Sequence, residues 1–406
     1  MNPWTRLIGW LSLGLLIIAS FVSVLRYVEK APFFYLGLET FLVLLFISYK
    51  LKGHNFLKAF SFNLAIVVLF LGLAEAYLAW FSPMVTKKEQ IENKVDFHAD
   101  PGTYFIHDEI RGYAAAGNVK KASKKMMEGK IIYEVVYTTN QHGLRVSLHD
   151  LAQTKDYLKG ENKAAVFFGD SFTFGEGVND NETLPFMFEE FSEGKYISYN
   201  FGFHGYGPHQ MLRIIETGLL DKIIPDKKPS VAIYQALINH VERSAGGYPY
   251  ILWDVEGPKY RLSAAGTPEY IGRFIDNPSH KDKRLYIRIL NESYLLNRTG
   301  IIHKLFGSER TNEDIELFIG IINQTKKLLK EKYGAELYVV VWPDINDKDS
   351  SHVINELKNN QINVITVDKI FMKYKDPPEK YRIEADYHPT RLAHERIARY
   401  LLEHIK

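Results

Sequence analysis

Ala164-Ala165-Val166-Phe167-Phe168-Gly169-Asp170-Ser171-Phe172-Thr173-Phe174-Gly175 runs from five apolar residues straight into a glycine and a pair of small polar side chains. A short apolar block bounded by a turn signal reads as a strand buried on both faces. The glycine permits a sharp strand-to-helix turn, which lifts the Ser171 hydroxyl out at the sheet edge and leaves its N–H near a helix start. Alone, Gly-Asp-Ser is weak, since the same tripeptide makes an ordinary helix N-cap.

Outward from this block the same rhythm repeats. Tyr196–Phe201, Val231–Leu237, Glu336–Trp342 and Ile362–Val367 are further strand candidates. Phe186–Phe191, Gln210–Leu220, Asn312–Lys332 and Arg391–His404 have helical character, with Thr311 and Asp314 as an N-cap signal. Strands alternating with helices predict a mostly parallel sheet covered on both faces. The stretch 241–310, rich in Tyr, Pro and Gly, breaks the rhythm and reads as an insertion.

Ligands of such sheets bind at the carboxyl ends of strands, and each end here carries polar chemistry. The second strand ends in Asn200-Phe201-Gly202-Phe203-His204-Gly205-Tyr206-Gly207, where Gly205 offers a second N–H to an oxyanion. No Lys-Ser/Thr follows, so a nucleotide phosphate loop is not indicated. The third ends in Leu237-Ile238-Asn239-His240, with the Asn239 amide as a third donor or simply a polar turn. Before the last helix stands Glu384-Ala385-Asp386-Tyr387-His388-Pro389, where His388 can act as base with Asp386 orienting its ring. His204, His209, His240 and His394 lack a neighbouring acid in sequence and read as structural. No His/Asp/Glu spacing makes a metal site, and no cofactor is implied.

Ser171, Gly205, Asn239 and His388, in this order, resemble the four signature residues of the SGNH (GDSL-type) hydrolases, over roughly residues 161–406. Asp108–Gly112 and Thr139–Arg145 are similar to the lead-in of membrane-tethered bacterial members. The resemblance implies a three-layer α/β/α flavodoxin-like domain with a five-stranded sheet. It further implies Ser171 as nucleophile, His388 as base, and an oxyanion hole of Ser171 N–H, Gly205 N–H and Asn239. Family members remove or transfer acyl groups, often acetyl, on carbohydrates and lipids. The chain departs from the pattern three times, most mildly where Gly169-Asp170-Ser171-Phe172 stands for the usual Gly-Asp-Ser-Leu. Only the Asn of Gly-x-Asn-Asp is kept, and Asp-x-x-His is shortened to Asp386-x-His388, with Glu384 as a substitute acid.

The N-terminal part is of another kind. Leu7–Leu25 is nineteen residues without a charge, Pro32–Tyr49 is interrupted only by Glu39, and about Phe60–Phe81 only by Glu75. About twenty apolar residues cross a bilayer, so three spans are expected within an anchor of residues 1–82. Glu39 and Glu75 are expected to face neighbouring helices or an interface. Arg6, Lys50, Lys52 and Lys58 outnumber Arg26 and Lys30, which favours a cytoplasmic N-terminus and an exported C-terminal domain in the cytoplasmic (inner) membrane. Lys87 and Lys88 run against this assignment. Residues 83–160 form a lysine-rich lead-in, with Ile131–Thr138 a strand, Asn140–Gly143 a turn, and Lys120–Lys130 a solvated loop or a contact for anionic headgroups.

A net charge of +2 over 406 residues supplies no field for nucleic acid, and the absence of cysteine excludes thiol catalysis, zinc–thiolate sites and disulfides. The expected partners are an acylated carbohydrate or lipid substrate, membrane lipid around the N-terminal helices, and a membrane acyltransferase. The expectation is thus a membrane-anchored serine esterase or O-acyltransferase working on envelope glycans or lipid-linked sugars. Tyr248, Tyr250, Trp253, Tyr260 and Tyr270 either stack on such a substrate or pack the insertion. The alternative is a degenerate domain that binds glycan or a partner protein.

Overall fold

The computed structural model describes residues 17–25, 28, 31–51, 55–81, 104–127, 129–151, 162–224, 228–307, 310–344 and 346–405. The chain forms two compact units, one of Met1–Lys88 with Asp282–Gly307, the other of Glu89–Lys281 with Ser308–Lys406. The stretch expected to be one insertion is therefore divided between them. Residues 241–281 fold with the sheet, and 282–307 fold with the N-terminal helices.

In the first unit, residues 17–25 are helical; the rest of the first expected span lies outside the described residues. Helices α1 (Pro32–Lys50) and α2 (Asn55–Phe81) are both long and apolar enough to cross a membrane, with mean hydropathy 1.6 and 2.1. They meet at Gly37 and Gly72, where a side chain on Gly37 would stand 3.3 Å from the Gly72 Cα. Small residues allow such close helix approach. Glu75 faces a neighbouring helix, but one far along the sequence. It is buried, and its two oxygens accept the N–H groups of Tyr294 and Leu295, each at 2.7 Å. Those N–H groups open the short helix Tyr294–Thr299 and have no partner within it. The carboxylate is thus satisfied by backbone that sequence places more than two hundred residues away.

The second unit begins with two antiparallel pairs, β1 (Phe105–Asp108) with β2 (Gly112–Ala115) and β3 (Lys120–Met127) with β4 (Lys130–Thr138). The lysine-rich segment is thus a strand, which corrects the expectation of a solvated loop. Its alternation puts Lys121, Ser123 and Lys125 on the more buried face. The predicted turn follows, with Gly143 N–H on the Asn140 carbonyl at 3.0 Å.

Strands β5 (Lys163–Phe168), β6 (Tyr196–Asn200), β7 (Pro229–Leu237), the hairpin β8 (Pro258–Leu262) and β9 (Pro268–Arg273), then β10 (Glu336–Trp342) and β11 (Asn363–Thr366) complete the unit. The main sheet has the order β6-β5-β7-β10-β11, and all four of its pairings are parallel. Counted along the chain this is 2-1-3-4-5, the flavodoxin-like doubly wound order. Along β5, Ala165 and Phe167 face one core while Val166 and Phe168 face the other. Helices α3 (Pro208–Glu216), α4 (Asn312–Tyr333) and α5 (Ser350–Asn359) cover the second face, and Leu184–Phe191, Val367–Tyr374 and Arg391–His404 the first. The three layers follow from that two-sided burial. A third apolar cluster joins Tyr133, Val135 and Tyr137 of β4 to Phe174 and Phe203, just beyond the ends of β5 and β6. It packs the lead-in strands against the strand ends where the polar residues gather.

Candidate active site

Gly169 makes the turn that the sequence demands of it. Its φ is +143°, and a Cβ there would fall 2.3 Å from Thr173 Oγ1 and 2.9 Å from the Gln235 carbonyl. Any other residue would push the turn open. Asp170 then caps the short helix Ser171–Phe174 through its Oδ1, which accepts the Phe172 N–H at 3.0 Å. Its Oδ2 accepts Arg243 Nη1 at 2.9 Å and His240 Nε2 at 3.2 Å. Burial opposes the charge, but Arg243 and His240 outweigh it and hold the Asp170 carboxyl well below the usual range. His240 itself is pushed down to about 4 by burial and by the neighbouring Arg243, so it is neutral at pH 7. The residue that replaces the resembled family's Asp in the third block is therefore tied to the turn that carries Ser171.

The C-terminal loop brings His388 onto Ser171, with Nε2 at 2.8 Å from Oγ. Its Nδ1 lies 2.5 Å from Asp386 Oδ1, while the Asp386 carboxylate also accepts the Lys125 ammonium. Ala385 and Tyr387 both have positive φ, +60° and +70°, and these bends let an Asp-x-His spacing present acid and ring to each other. Glu384 is exposed, so Asp386 is the acid at the ring. Burial would raise Asp386, but the hydrogen bond and charge of His388, then Lys125, hold it at about 2. His388 is raised: burial acts downward and is outweighed by the charge of Glu176 and by the bond to Asp386.

Ser171, Asn239 and His388 line one cleft of about 660 Å³, together with Trp342, Arg382 and Tyr387. Asn239 precedes the helix His240–Ala245, and its Oδ1 has no partner among the described residues. Rotating the amide exchanges oxygen for NH₂ at that place, since the two ends are assigned by their partners. The N–H groups of Ser171 and Gly205 likewise find no acceptor among the described residues. Gly205 is not part of the cleft lining. It has φ +76° and sits under Trp253, whose Cζ3 would lie 2.1 Å from a Cβ. Of the insertion's aromatics, Tyr260 and Tyr270 pack away from the cleft, Tyr260 bonding Glu216 at 2.6 Å and Tyr270 lying 3.6 Å beneath Arg213. Packing is thus their role.

Several residues at this site carry no signal of their own in sequence. Glu176 Oε2 is 3.5 Å from His388 Nε2 and accepts His204 Nδ1 at 2.9 Å. His204, His209 and His240 have acid partners distant in sequence, namely Glu176, Asp254 at 2.8 Å and Asp170. His394 is buried with neither ring nitrogen partnered among the described residues. The available hint for Glu176 was a lone charge between two glycines, five residues after Ser171. Ligand atoms of Glu176, Asp386 and His388 come within 4.8 Å of one another, a grouping that local spacing did not reveal. Each is already engaged, Asp386 by Lys125 and Nδ1, Glu176 by His204, and Nε2 by Ser171. A cation there would have to displace these partners, which does not fit a metal centre.

Fold and site together define a flavodoxin-like α/β/α domain with a Ser–His–Asp constellation at the carboxyl ends of its parallel strands. No family model matches the chain, and no curated protein does. Among solved structures it is similar to a protein described as lipolytic, of the G-D-S-L family, from Desulfitobacterium hafniense DCB-2. The identity is 13% with a TM-score of 0.35, covering 60% of this chain and 99% of that one. It is also similar to the psychrotrophic esterase EstA from Pseudoalteromonas sp., at 9% identity and a TM-score of 0.33, covering 59% and 95%. A third is described as a GDSL-like lipase from Parabacteroides merdae ATCC 43184, at 13% identity and a TM-score of 0.32, covering 60% and 94%.

Proposed function

We propose that this chain is a membrane-anchored serine hydrolase of ester bonds or an O-acyltransferase, acting on acyl esters of envelope glycans or lipid-linked sugars. The observation that carries the reading is the line Ser171 Oγ, His388 Nε2, His388 Nδ1, Asp386 Oδ1, with separations of 2.8 and 2.5 Å. His388 removes the Ser171 proton as Oγ attacks an ester carbonyl, and the imidazolium returns that proton to the departing alkoxide. Asp386 fixes the tautomer and balances the charge, with Lys125 holding its outer oxygen. The N–H groups of Ser171 and Gly205 and the Asn239 amide are assigned to the oxyanion. Water or a sugar hydroxyl then takes the acyl group from Ser171 by the same steps in reverse. The choice between water and sugar is set by what occupies the cleft, where the exposed Tyr387 stands beside Arg382 and Trp342. The apolar helices α1 and α2 support a membrane location, and the lysine and arginine distribution supports an exported domain.

The full-length protein in detergent is expected to release acetate from a short-chain aryl acetate, and Ser171→Ala to lose about 10⁴-fold or more of that rate. Equal turnover in the two proteins would turn the reading to a glycan- or partner-binding domain. Offering an acetylated donor with a glycan acceptor, and weighing the products, separates hydrolysis from transfer. A fused C-terminal reporter that works only in the cytoplasm would contradict the exported orientation.

A further inference from the structure

His388 is flanked by carboxylates on both ring edges. Asp386 stands at Nδ1, 2.5 Å away, and Glu176 stands 3.5 Å from Nε2, the same nitrogen that meets Ser171 Oγ at 2.8 Å. The two acids come from different parts of the chain, one from the C-terminal loop and one from the loop after the nucleophile helix. Glu176 is buried, so its charge acts through little water and is not strongly screened.

We propose that Glu176 is a positioning residue of the His388 centre, whose charge beside Nε2 stabilises the imidazolium formed when Ser171 gives up its proton. This rests on the reading of Ser171 and His388 as the reacting pair. In that step the Ser171 O–H bond breaks, an N–H bond forms at Nε2, and Oγ forms its bond to the acyl carbon. Glu176 exchanges no proton. Its Oε2 stays bonded to His204 Nδ1 at 2.9 Å, and its Oε1 faces the Tyr133 hydroxyl at 3.5 Å. Beyond His204 lies the Tyr104 hydroxyl at 3.4 Å. The other charged groups acting on the centre are Asp170, whose charge favours protonation of His388, Lys125 on Asp386, and Arg145, whose charge opposes protonation of His204. Burial pushes the Glu176 carboxyl up, but the charge of His388 and the His204 bond outweigh it and hold it below the usual range. Proximity on the nucleophile's own side is what separates Glu176 from Asp386. Asp386 sets ring orientation, and Glu176 adds charge where the proton arrives.

The sign of the effect follows from the charge. An anion beside Nε2 raises the basicity of His388, so removing it lowers the pH at which the ring becomes neutral. In the full-length protein, two midpoints are to be compared between wild type and Glu176→Gln. One is the acid limb of kcat/KM for an aryl acetate. The other is the titration of the His388 ring ¹³Cε1 resonance, assigned by its loss in His388→Gln. Both are expected to move down by about one pH unit, the smaller end of what a close opposite charge does. The plateau kcat should fall with KM little changed. A folded Glu176→Gln protein with unmoved midpoints overturns the proposal, because a merely structural glutamate would leave the titration alone. Should that variant not fold, Glu176→Asp carries the test, with a smaller downward shift expected and no shift overturning it. Absent turnover with a shifted ring midpoint counts against the esterase reading only and leaves the Glu176–His388 coupling supported.

Discussion

The carboxyl edge of the parallel sheet and the antiparallel β3–β4 hairpin both supply the site, but they do so by different physics. At the sheet edge, each candidate residue lies within five residues of the end of its strand: Ser171 after β5, Gly205 after β6, Asn239 after β7. The hairpin reaches the site only through tertiary contact. Lys125 and Tyr133 are directly opposite each other in the β3–β4 register, and the register shifts immediately after this pair. Register irregularities of this kind re-aim side chains. The pair delivers a cation to Asp386 and a hydroxyl to Glu176, one to each acid flanking His388. Arg145, beyond the hairpin's end, is buried and donates to the carbonyls of Phe174, Gly175, Val178 and Val136 and to Asp180. It fastens the loop that carries Glu176. Local pattern writes the turn that carries Ser171, and long-range contacts write the electrostatic setting of His388 beside it.

Three substitutions probe this contrast. Arg145→Met leaves four carbonyls and Asp180 without their donor in a buried place, and should destabilise the sheet unit by about 3–5 kcal/mol. Thermal unfolding of the detergent-solubilised protein reads this directly, and Arg145→Lys should recover little because one ammonium cannot span five acceptors. A Tm within error of wild type would show that the lead-in is dispensable for the site. On the sheet side, Asn239→Ala is expected to lower kcat by about 10² to 10³ with stability near wild type. If the loss is under tenfold, the third oxyanion donor must come from another group. The smallest effect falls on the hairpin again. Lys125→Met removes a partly exposed ionic partner of Asp386, worth about 1 kcal/mol, so kcat/KM should fall about fivefold. A loss as large as that of Asn239→Ala would mean that Asp386 cannot hold His388 without the hairpin.

Much of this was readable in sequence because it depends on short-range order. The block Ala164–Phe168 has the composition of a strand buried on both faces, and Glu336–Trp342 and Arg391–His404 have the bounds the pattern predicts. Asp386 was the readable acid because it stands two residues from His388. The two positive-φ residues that make so short a spacing work are visible only in the backbone. Lys120–Met127 misled because a run of lysines looks solvated, whereas pairing with the β-branched and aromatic Ile131–Thr138 makes it a strand. Glu176 and His204 were invisible as partners since 28 residues separate them. The stretch 241–310 looked uniform in composition, yet Glu75 draws Tyr294 and Leu295 to the apolar helices through two backbone bonds. Composition does not encode such a partner.

The account turns on whether Ser171 is a nucleophile made reactive by His388. The direct measurement is labelling of the full-length protein by a fluorophosphonate, with the modified peptide located by mass spectrometry. A single adduct is expected on Ser171, absent in Ser171→Ala and slowed by several orders of magnitude in His388→Gln. A folded protein that takes up no label at Ser171, or labels equally well without His388, would contradict it.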